Sequence, residues 1–281
     1  MIVMLIGCGL IGSQIVRELL ESDMGVVVYD RSPMLDAMSD VFDVSSVKIV
    51  RGDVLNVHDL YRVIRDHDVT NIVHMAANQM LTAGAQKCPY EALLTNVVGT
   101  ANVLEACRTF DLERLVVASS NVVRIHVKDS LPHGTRPATI YASTKLFTEH
   151  LCYNYHDMYG IDFIALRFAA TFGPWRYVGG GAPTRSFAEL IDKVLRGLPA
   201  KIPRTGEYVY SNDTARACIG ALKALHPNRR IYDIGMCRIY TSEEIAEIVK
   251  SIVPGCVVDG EGCLSEVPDN PSASTNLMPA R

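Results

Sequence analysis

The chain has 281 residues, 48% of them hydrophobic and 21% charged, with a formal net charge of -4. That is enough for one large core or two fused units, and the mild negative charge, without a lysine- or arginine-rich run, leaves no footprint for nucleic acid. Met1 to Ile6 are apolar but stop at Gly7, too short a run for a signal peptide or membrane span, and eight scattered cysteines without a Cys-x-x-Cys pair predict reduced, packed thiols, a cytoplasmic protein and no metal site.

Ile2 to Ile6 is a fully apolar run, as a central parallel strand requires. Gly7-Cys-Gly9-Leu-Ile-Gly12 follows, and Ser13 to Leu20 is helical in pattern. In a strand–turn–helix of this kind the first glycine permits the tight turn, the second lets backbone approach a pyrophosphate, and the third lets helix pack on strand. The helix start then offers free N–H groups to anionic phosphates. The next apolar run, Val26 to Tyr29, ends in Asp30, about 20 residues after the loop, where an acid holds ribose hydroxyls. The reading is a dinucleotide site built from Gly7, Gly9, Leu10, Ile11, Gly12 and Asp30. Asp30 favours NAD; Arg31 beside it keeps NADP open as the alternative.

Val47 to Val50 reads as a third strand leading to Asp53 and Val54, with Asp53 placed to accept from an adenine amino group. His58 to His67 reads as a helix. Asn71 to Met75 is a fourth strand running into Ala76, Ala77 and Gln79, where small residues let a flat cofactor lie close; His74 is assigned to packing or bonding within the sheet. Pro89 to Thr109 has long helical periodicity and contains Asn96. Arg114 to Ala118 is a fifth strand ending in Ser119-Ser120-Asn121, hydroxyls at the edge where open α/β sheets bind ligands. Ile161 to Arg167 is a sixth. The alternation predicts a Rossmann-type doubly wound parallel sheet over residues 1–168. A small C-terminal substrate-binding lobe is read over 169–260, with helices at Ser186 to Arg196, Asn212 to Leu225 (capped by Asn212 or Asp213) and Thr241 to Ile252, the last opened by a Thr241–Glu244 capping box. The polar tail, 261–281, is expected to be extended or poorly ordered.

The chemistry centres on Tyr141-Ala-Ser-Thr-Lys145. Positions four apart share a helix face, which sets a phenol beside an ammonium. A nearby cation is expected to lower the tyrosine pKa, so that Tyr141 exchanges a proton with an alcohol or carbonyl.

Taken with Asn96-Val-x-Gly-Thr100, Leu166-Arg167-Phe168 leading to Phe172-Gly-Pro174, Asp213-x-Ala-Arg-Ala and Tyr232-Asp-Ile-Gly235, these motifs make the chain, from residue 2 to about 253, resemble the extended short-chain dehydrogenase/reductase family, the NAD-dependent epimerase/dehydratase group. The resemblance implies that Ser120 orients the reacting oxygen, Tyr141 exchanges the proton, and Lys145 holds the nicotinamide ribose and tunes Tyr141. With Arg31, Asp53, Ala76 and Ala77 already read there, the cofactor set also takes in Val54, Asn96, Tyr141, Lys145 and Phe168. The substrate set is Gln79, Ser120, Asn121, Tyr141, Ala170 and Arg176; Arg176, in the glycine-rich loop, is read either as a partner for a substrate carboxylate or as a solvated surface charge, with Arg185 and Arg204 lesser candidates. A homodimer through the helices near 90–109 and 141–159 is implied too.

The departures from that pattern steer the substrate reading. The first family glycine falls at Ile6, an asparagine that contacts the sugar nucleotide falls at Ala170, and a diphosphate-binding arginine falls at Glu207, where an acid repels a diphosphate. The Thr-Asp-Glu motif of the dehydratases is absent, Ser119-Ser120-Asn121 resembles the uronate dehydrogenase branch, and the family's C-terminal helix is missing. The leading expectation is an NAD-dependent dehydrogenase of a small sugar acid or polyol. The alternatives are a nucleotide-sugar epimerase that retains its NAD, and a non-catalytic NAD-binding sensor or scaffold.

Overall fold

In the computed structural model the run Ile2–Ile6 forms β1, buried from Val3 onward. Successive side chains point to opposite faces of a strand. Val3 and Leu5 accordingly enter one core, and Met4 and Ile6 the other. Burial on both faces is why this strand reads as unbroken apolar sequence and not as an alternation. The structure describes residues 1–77, 85, 88–128, 135–175 and 181–261.

Gly25–Asp30 (β2), Lys48–Arg51 (β3), Asn71–His74 (β4) and Arg114–Ser120 (β5) follow. An antiparallel hairpin of His126–Lys128 (β6) and Thr135–Pro137 (β7) precedes Phe163–Phe168 (β8). With the later strand Ile231–Ile234 (β12), seven strands form one sheet in the order β12-β8-β5-β4-β1-β2-β3, each neighbouring pair parallel. The chain winds from β1 out to β3, then returns to the other side of β1 as β4. Such a reversal opens a crevice at the carboxyl ends of the two strands on either side of it. Helices Leu10–Glu21 and Ser211–Lys223 cover one face. Val57–Asp66, Gly99–Thr109 and Ile140–Tyr159 cover the other. This is the doubly wound parallel sheet that the alternation predicts.

A smaller C-terminal lobe holds Ala170–Phe172 (β9), Ala200–Ile202 (β10), Gly206–Tyr210 (β11), Ile239–Tyr240 (β13) and Val258–Glu261 (β14). Helices Ala182–Leu195 and Ser242–Ile252 pack with them around Leu190, Val194, Tyr208 and Ile245. Phe172 and Phe187 stack there, ring centres 4.3 Å apart. The chain beyond residue 168 is not all lobe. Ser211–Lys223 lies on the large sheet, and Ile231–Ile234 is that sheet's edge strand.

Two local expectations change. The long helix read over 89–109 is two helices, Pro89–Leu93 and Gly99–Thr109, joined by a widened π turn at Leu94–Val98 that buries Asn96. Such turns relieve a helix of its regular register and are common at functional sites. Neither Asn212 nor Asp213 caps the helix read from 212, which starts at Ser211 without a side-chain cap. The capping box forms as read: Thr241 Oγ1 accepts from the Glu244 amide at 3.1 Å, and Glu244 Oε2 from the Thr241 amide at 2.9 Å. The tail from 262 onward lies outside the described residues.

Candidate active site

The glycine loop stands at the crevice. Gly7 has φ +92°, and a Cβ there would lie 2.6 Å from the Ala76 amide nitrogen. A Cβ on Gly12 would lie 2.4 Å from the Gly7 carbonyl oxygen. Both positions therefore exclude any side chain, which keeps the turn flat between the ends of β1 and β4. Ile6, where the family's first glycine falls, is buried in the core, and Gly7 makes the turn. The helix that follows begins at Gly9, which offers no side-chain cap, and its first turn carries no acid. Its leading N–H groups have no capping side chain, the condition under which a helix start takes an anion. Asp30, at the end of β2, ties the turn in place. Its Oδ2 accepts from the Cys8 amide and its Oδ1 from the Ser32 amide, both at 2.7 Å. Carboxylate oxygens keep further lone pairs for ribose hydroxyls. The residues present thus fit the phosphates and ribose of a dinucleotide. Gly7→Ala is expected to cost about 2 kcal/mol or more in a urea melt, through strain at positive φ and a clash with backbone that cannot rotate away; nucleotide binding should fall with it.

Beyond Asp30, Ser32, Pro33, Met34, Leu35, Ile49 and Arg51 line an open cleft of about 570 Å³. Arg31 is exposed, and its carbonyl accepts from Arg51 Nε at 3.2 Å. Asp53 Oδ1 accepts from the Leu55 amide at 2.9 Å, and Val54 is buried against Gly99. Arg51 is a cleft residue that the sequence reading passed over, although it ends its strand one position beyond the run taken as β3.

Ser120, Tyr141 and Lys145 are brought together. Thr139 caps the tyrosine helix Ile140–Tyr159 by accepting from the Ala142 amide at 3.1 Å, which fixes Tyr141 in the first turn. Lys145 Nζ lies 5.8 Å from the Tyr141 ring centre and donates to the Ala118 carbonyl at 2.8 Å. Ser120 makes a side-chain hydrogen bond to Tyr141 and caps the short turn Asn121–Arg124. Tyr141, Lys145 and Ser120 are all at most 9% exposed.

One electrostatic expectation reverses. Burial pushes the Tyr141 phenol up to about 12, and the hydrogen bond from Ser120 is what pulls it back. Desolvation outweighs what lowers the phenol, and the Lys145 ammonium is directed to the Ala118 carbonyl. Burial brings Lys145 down to about 8, opposed by Glu149 and then Cys152.

A second layer holds these residues, and most of it escaped the sequence reading. Asn96, read as a cofactor contact, donates from Nδ2 to Thr144 Oγ1 at 3.1 Å, and Thr144 Oγ1 donates to the Tyr141 carbonyl at 2.8 Å. Its side-chain amide therefore reaches the tyrosine helix. His74 bonds Thr100 Oγ1 through Nε2 at 3.1 Å, as the packing assignment expects. Thr100 spends its one hydroxyl proton on the Asn96 carbonyl at 2.7 Å, so Nε2 must carry the His74 proton. Burial, then the Lys145 charge, holds His74 near 3 and therefore neutral. Glu149 accepts from Ser119 and from both arms of Arg167. Its position one turn beyond Lys145 was the available signal.

Phe168 is buried at the end of β8, and Ala170 packs with Phe172 on the smaller lobe's core. Asn121 opens the short turn after Ser120. Gln79 and Arg176 lie outside the described residues. Glu207 turns to the backbone: its Oε1 accepts from the amide of Cys237, a residue at φ +53°, at 3.1 Å. It stabilises a left-handed turn there. No helix among the described residues is long and apolar enough to cross a membrane.

Comparison with known proteins agrees with this geometry. The putative UDP-glucose 4-epimerase of Methanocaldococcus jannaschii is 29% identical over 252 residues, covering 87% of this chain and 79% of that protein. The UDP-glucuronate 4-epimerase of Thermodesulfobacterium geofontis is 27% identical over 239 residues, covering 77% and 70%. The crystal structure of the UDP-glucose 4-epimerase of Thermus thermophilus in complex with NAD superposes with a TM-score of 0.74 at 27% identity, covering 92% of this chain and 86% of that one. The model of the NAD dependent epimerase/dehydratase family matches residues 3–235, and the chain belongs to that family.

Proposed function

We propose that the protein is an NAD-dependent epimerase of a nucleotide sugar, in which a substrate hydroxyl is oxidised and the resulting carbonyl reduced again from the other side. One observation carries the reading: a buried Ser120–Tyr141–Lys145 cluster lies in a chain whose nucleotide-sugar 4-epimerase relatives match over most of its length. The likeness favours this over the sugar-acid dehydrogenase that leads the sequence reading.

Gly7, Gly9 and Gly12 and the start of helix Leu10–Glu21 would hold the pyrophosphate of NAD, and Asp30 its adenosine ribose. NAD supplies the two-electron acceptor that takes a hydride from the sugar and gives it back. The protein moves the proton. Tyr141 Oη accepts it from the substrate hydroxyl in the first half and returns it in the second, while Ser120 Oγ fixes the oxygen's place. Arg31 and Arg51 sit beside Asp30, so NADP is to be assayed alongside NAD.

The test is to incubate the purified protein with UDP-glucose and UDP-glucuronate and follow sugar configuration by NMR and reduced cofactor by absorbance. Interconversion of C4 epimers without stoichiometric reduced cofactor is expected. Oxidation of free sugar acids with equimolar reduced NAD, and no epimerisation, would overturn the proposal and restore the dehydrogenase.

We also propose a homodimer. Exposed Tyr90, Leu93, Phe147 and Met158 put apolar surface on the helices that flank Tyr141. A monomer by light scattering at micromolar concentration would count against it.

A further inference from the structure

Glu149 is 1% exposed and stands one turn beyond Lys145 on the same helix face. Both of its carboxylate oxygens accept hydrogen bonds. Ser119 Oγ donates to Oε1, Arg167 Nε donates to Oε1 at 2.8 Å, and Arg167 Nη2 donates to Oε2 at 2.6 Å. Arg167 faces Ser119 across the β5–β8 register and Asp233 across the β8–β12 register. Asp233 in turn accepts from Arg124, the last residue of the short turn that Ser120 caps. Charges therefore alternate from Lys145 through Glu149, Arg167 and Asp233 to Arg124, and both ends of the row return to the catalytic cluster.

A buried ion pair is a poor way to gain stability, since its desolvation offsets its attraction. Its place beside Lys145 is what gives this one a use. The groups facing Lys145 are Tyr141, Glu149 and Cys152 on its own helix and His74 from β4, with Arg167 from β8 behind Glu149 and Cys107 from helix Gly99–Thr109 behind Cys152. The buried phenol, thiols and imidazole of that set are neutral near pH 7. Among the described residues Glu149 is the anion that answers the Lys145 charge.

We propose that Glu149 is a positioning residue: its buried carboxylate, held by Ser119 and Arg167, keeps Lys145 in place as an ammonium beside Tyr141 and ties the tyrosine helix to the strand end that carries Ser120. The proposal rests on the epimerase reading only for what Lys145 is used for.

The experiment needs no substrate. Full-length protein carrying 13C-labelled lysine is titrated by NMR, with the Lys145 signal assigned by its loss in Lys145→Met. In Glu149→Gln, which leaves the Arg167 cation without its partner, the ratio of charged to neutral Lys145 is expected to fall about tenfold at a given pH. In the double variant Glu149→Gln/Arg167→Gln, which removes both charges, the midpoint should lie between those of the single variant and the parent. A merely structural carboxylate would lower the melting temperature and leave the Lys145 midpoint where it was; that result overturns the proposal, as does a reversed order. If the single variant does not fold, the double variant decides alone, and a midpoint equal to the parent's is fatal. NAD binding is measured in parallel. A parent protein that fails to bind NAD but keeps this titration order sinks the functional reading and not this one.

Discussion

Tyr141→Phe is expected to lower turnover by about 10²- to 10⁴-fold, the usual worth of a positioned proton-transfer group, while the affinity for NAD stays close to that of the parent. The substitution removes one oxygen from a ring whose place is set by Ala85, Ala92 and Val122 around it and by the Thr139 cap below it. The fold has no reason to move. The pH dependence gives the sharper readout. With the phenol near 12, only about one molecule in 10⁴ to 10⁵ carries phenolate at neutral pH, so the oxidative half is expected to speed up with rising pH across the whole accessible range. The reductive half, in which a neutral phenol donates, needs no such ionisation. Ser120 is the internal control. Its hydrogen bond lowers the Tyr141 pKa, so Ser120→Ala moves the rise to still higher pH and slows the oxidative half at fixed pH. Stopped-flow measurement of each half-reaction against pH checks all three statements. A Tyr141→Phe protein that turns over within a few fold of the parent removes Tyr141 from the chemistry.

The fold was legible because its central layer is written in strong, redundant signals. Strands such as Ile2–Ile6 are apolar throughout, and the glycine turn and Asp30 fall at the spacing that one strand and one helix impose. The short strands of the smaller lobe were missed because β9 and β10 have three residues each and β13 has two, too few for a period of two to repeat. The return of Ile231–Ile234 to the large sheet was equally hidden, since a strand's own residues do not say which edge it will join. At the site, the nearness of Tyr141 and Lys145 was readable from spacing, and Ser120 was pointed to by the family resemblance. What spacing could not reveal was direction. Tyr141 and Lys145 do share a helix face, yet the ammonium points at the Ala118 carbonyl, and burial then sets the sign of both pKa shifts. Glu207 shows the same limit. Its charge argues against a nearby diphosphate, but its carboxylate is occupied by the Cys237 amide, which no pattern in Glu207-Tyr-Val-Tyr foretells.

Lys145→Met should abolish detectable turnover and also change how stability depends on pH, and the two effects test different steps of the argument. Loss of turnover follows, on the proposed reading, from losing the cation beside Tyr141. The stability effect follows from burial alone. In the folded chain Lys145 loses its proton near 8, whereas in the unfolded chain it does so at its ordinary value of 10.5. Between those values the unfolded state binds one more proton than the folded state. Unfolding free energy therefore rises with pH across that window. Below pH 8 the buried ammonium weighs against the fold, by roughly 3 kcal/mol for a shift of this size, and this burden disappears above about 10.5. The methionine variant has no such group. Its stability relative to the parent should be greatest at neutral pH and decline steadily from pH 8 to pH 10.5. The lost hydrogen bond to the Ala118 carbonyl shifts the whole difference by a constant and leaves its slope untouched. Urea unfolding of both proteins at several pH values in that range measures the slope directly. A difference that does not vary with pH would mean that Lys145 titrates alike in the two states, and that burial does not govern the charge beside Tyr141.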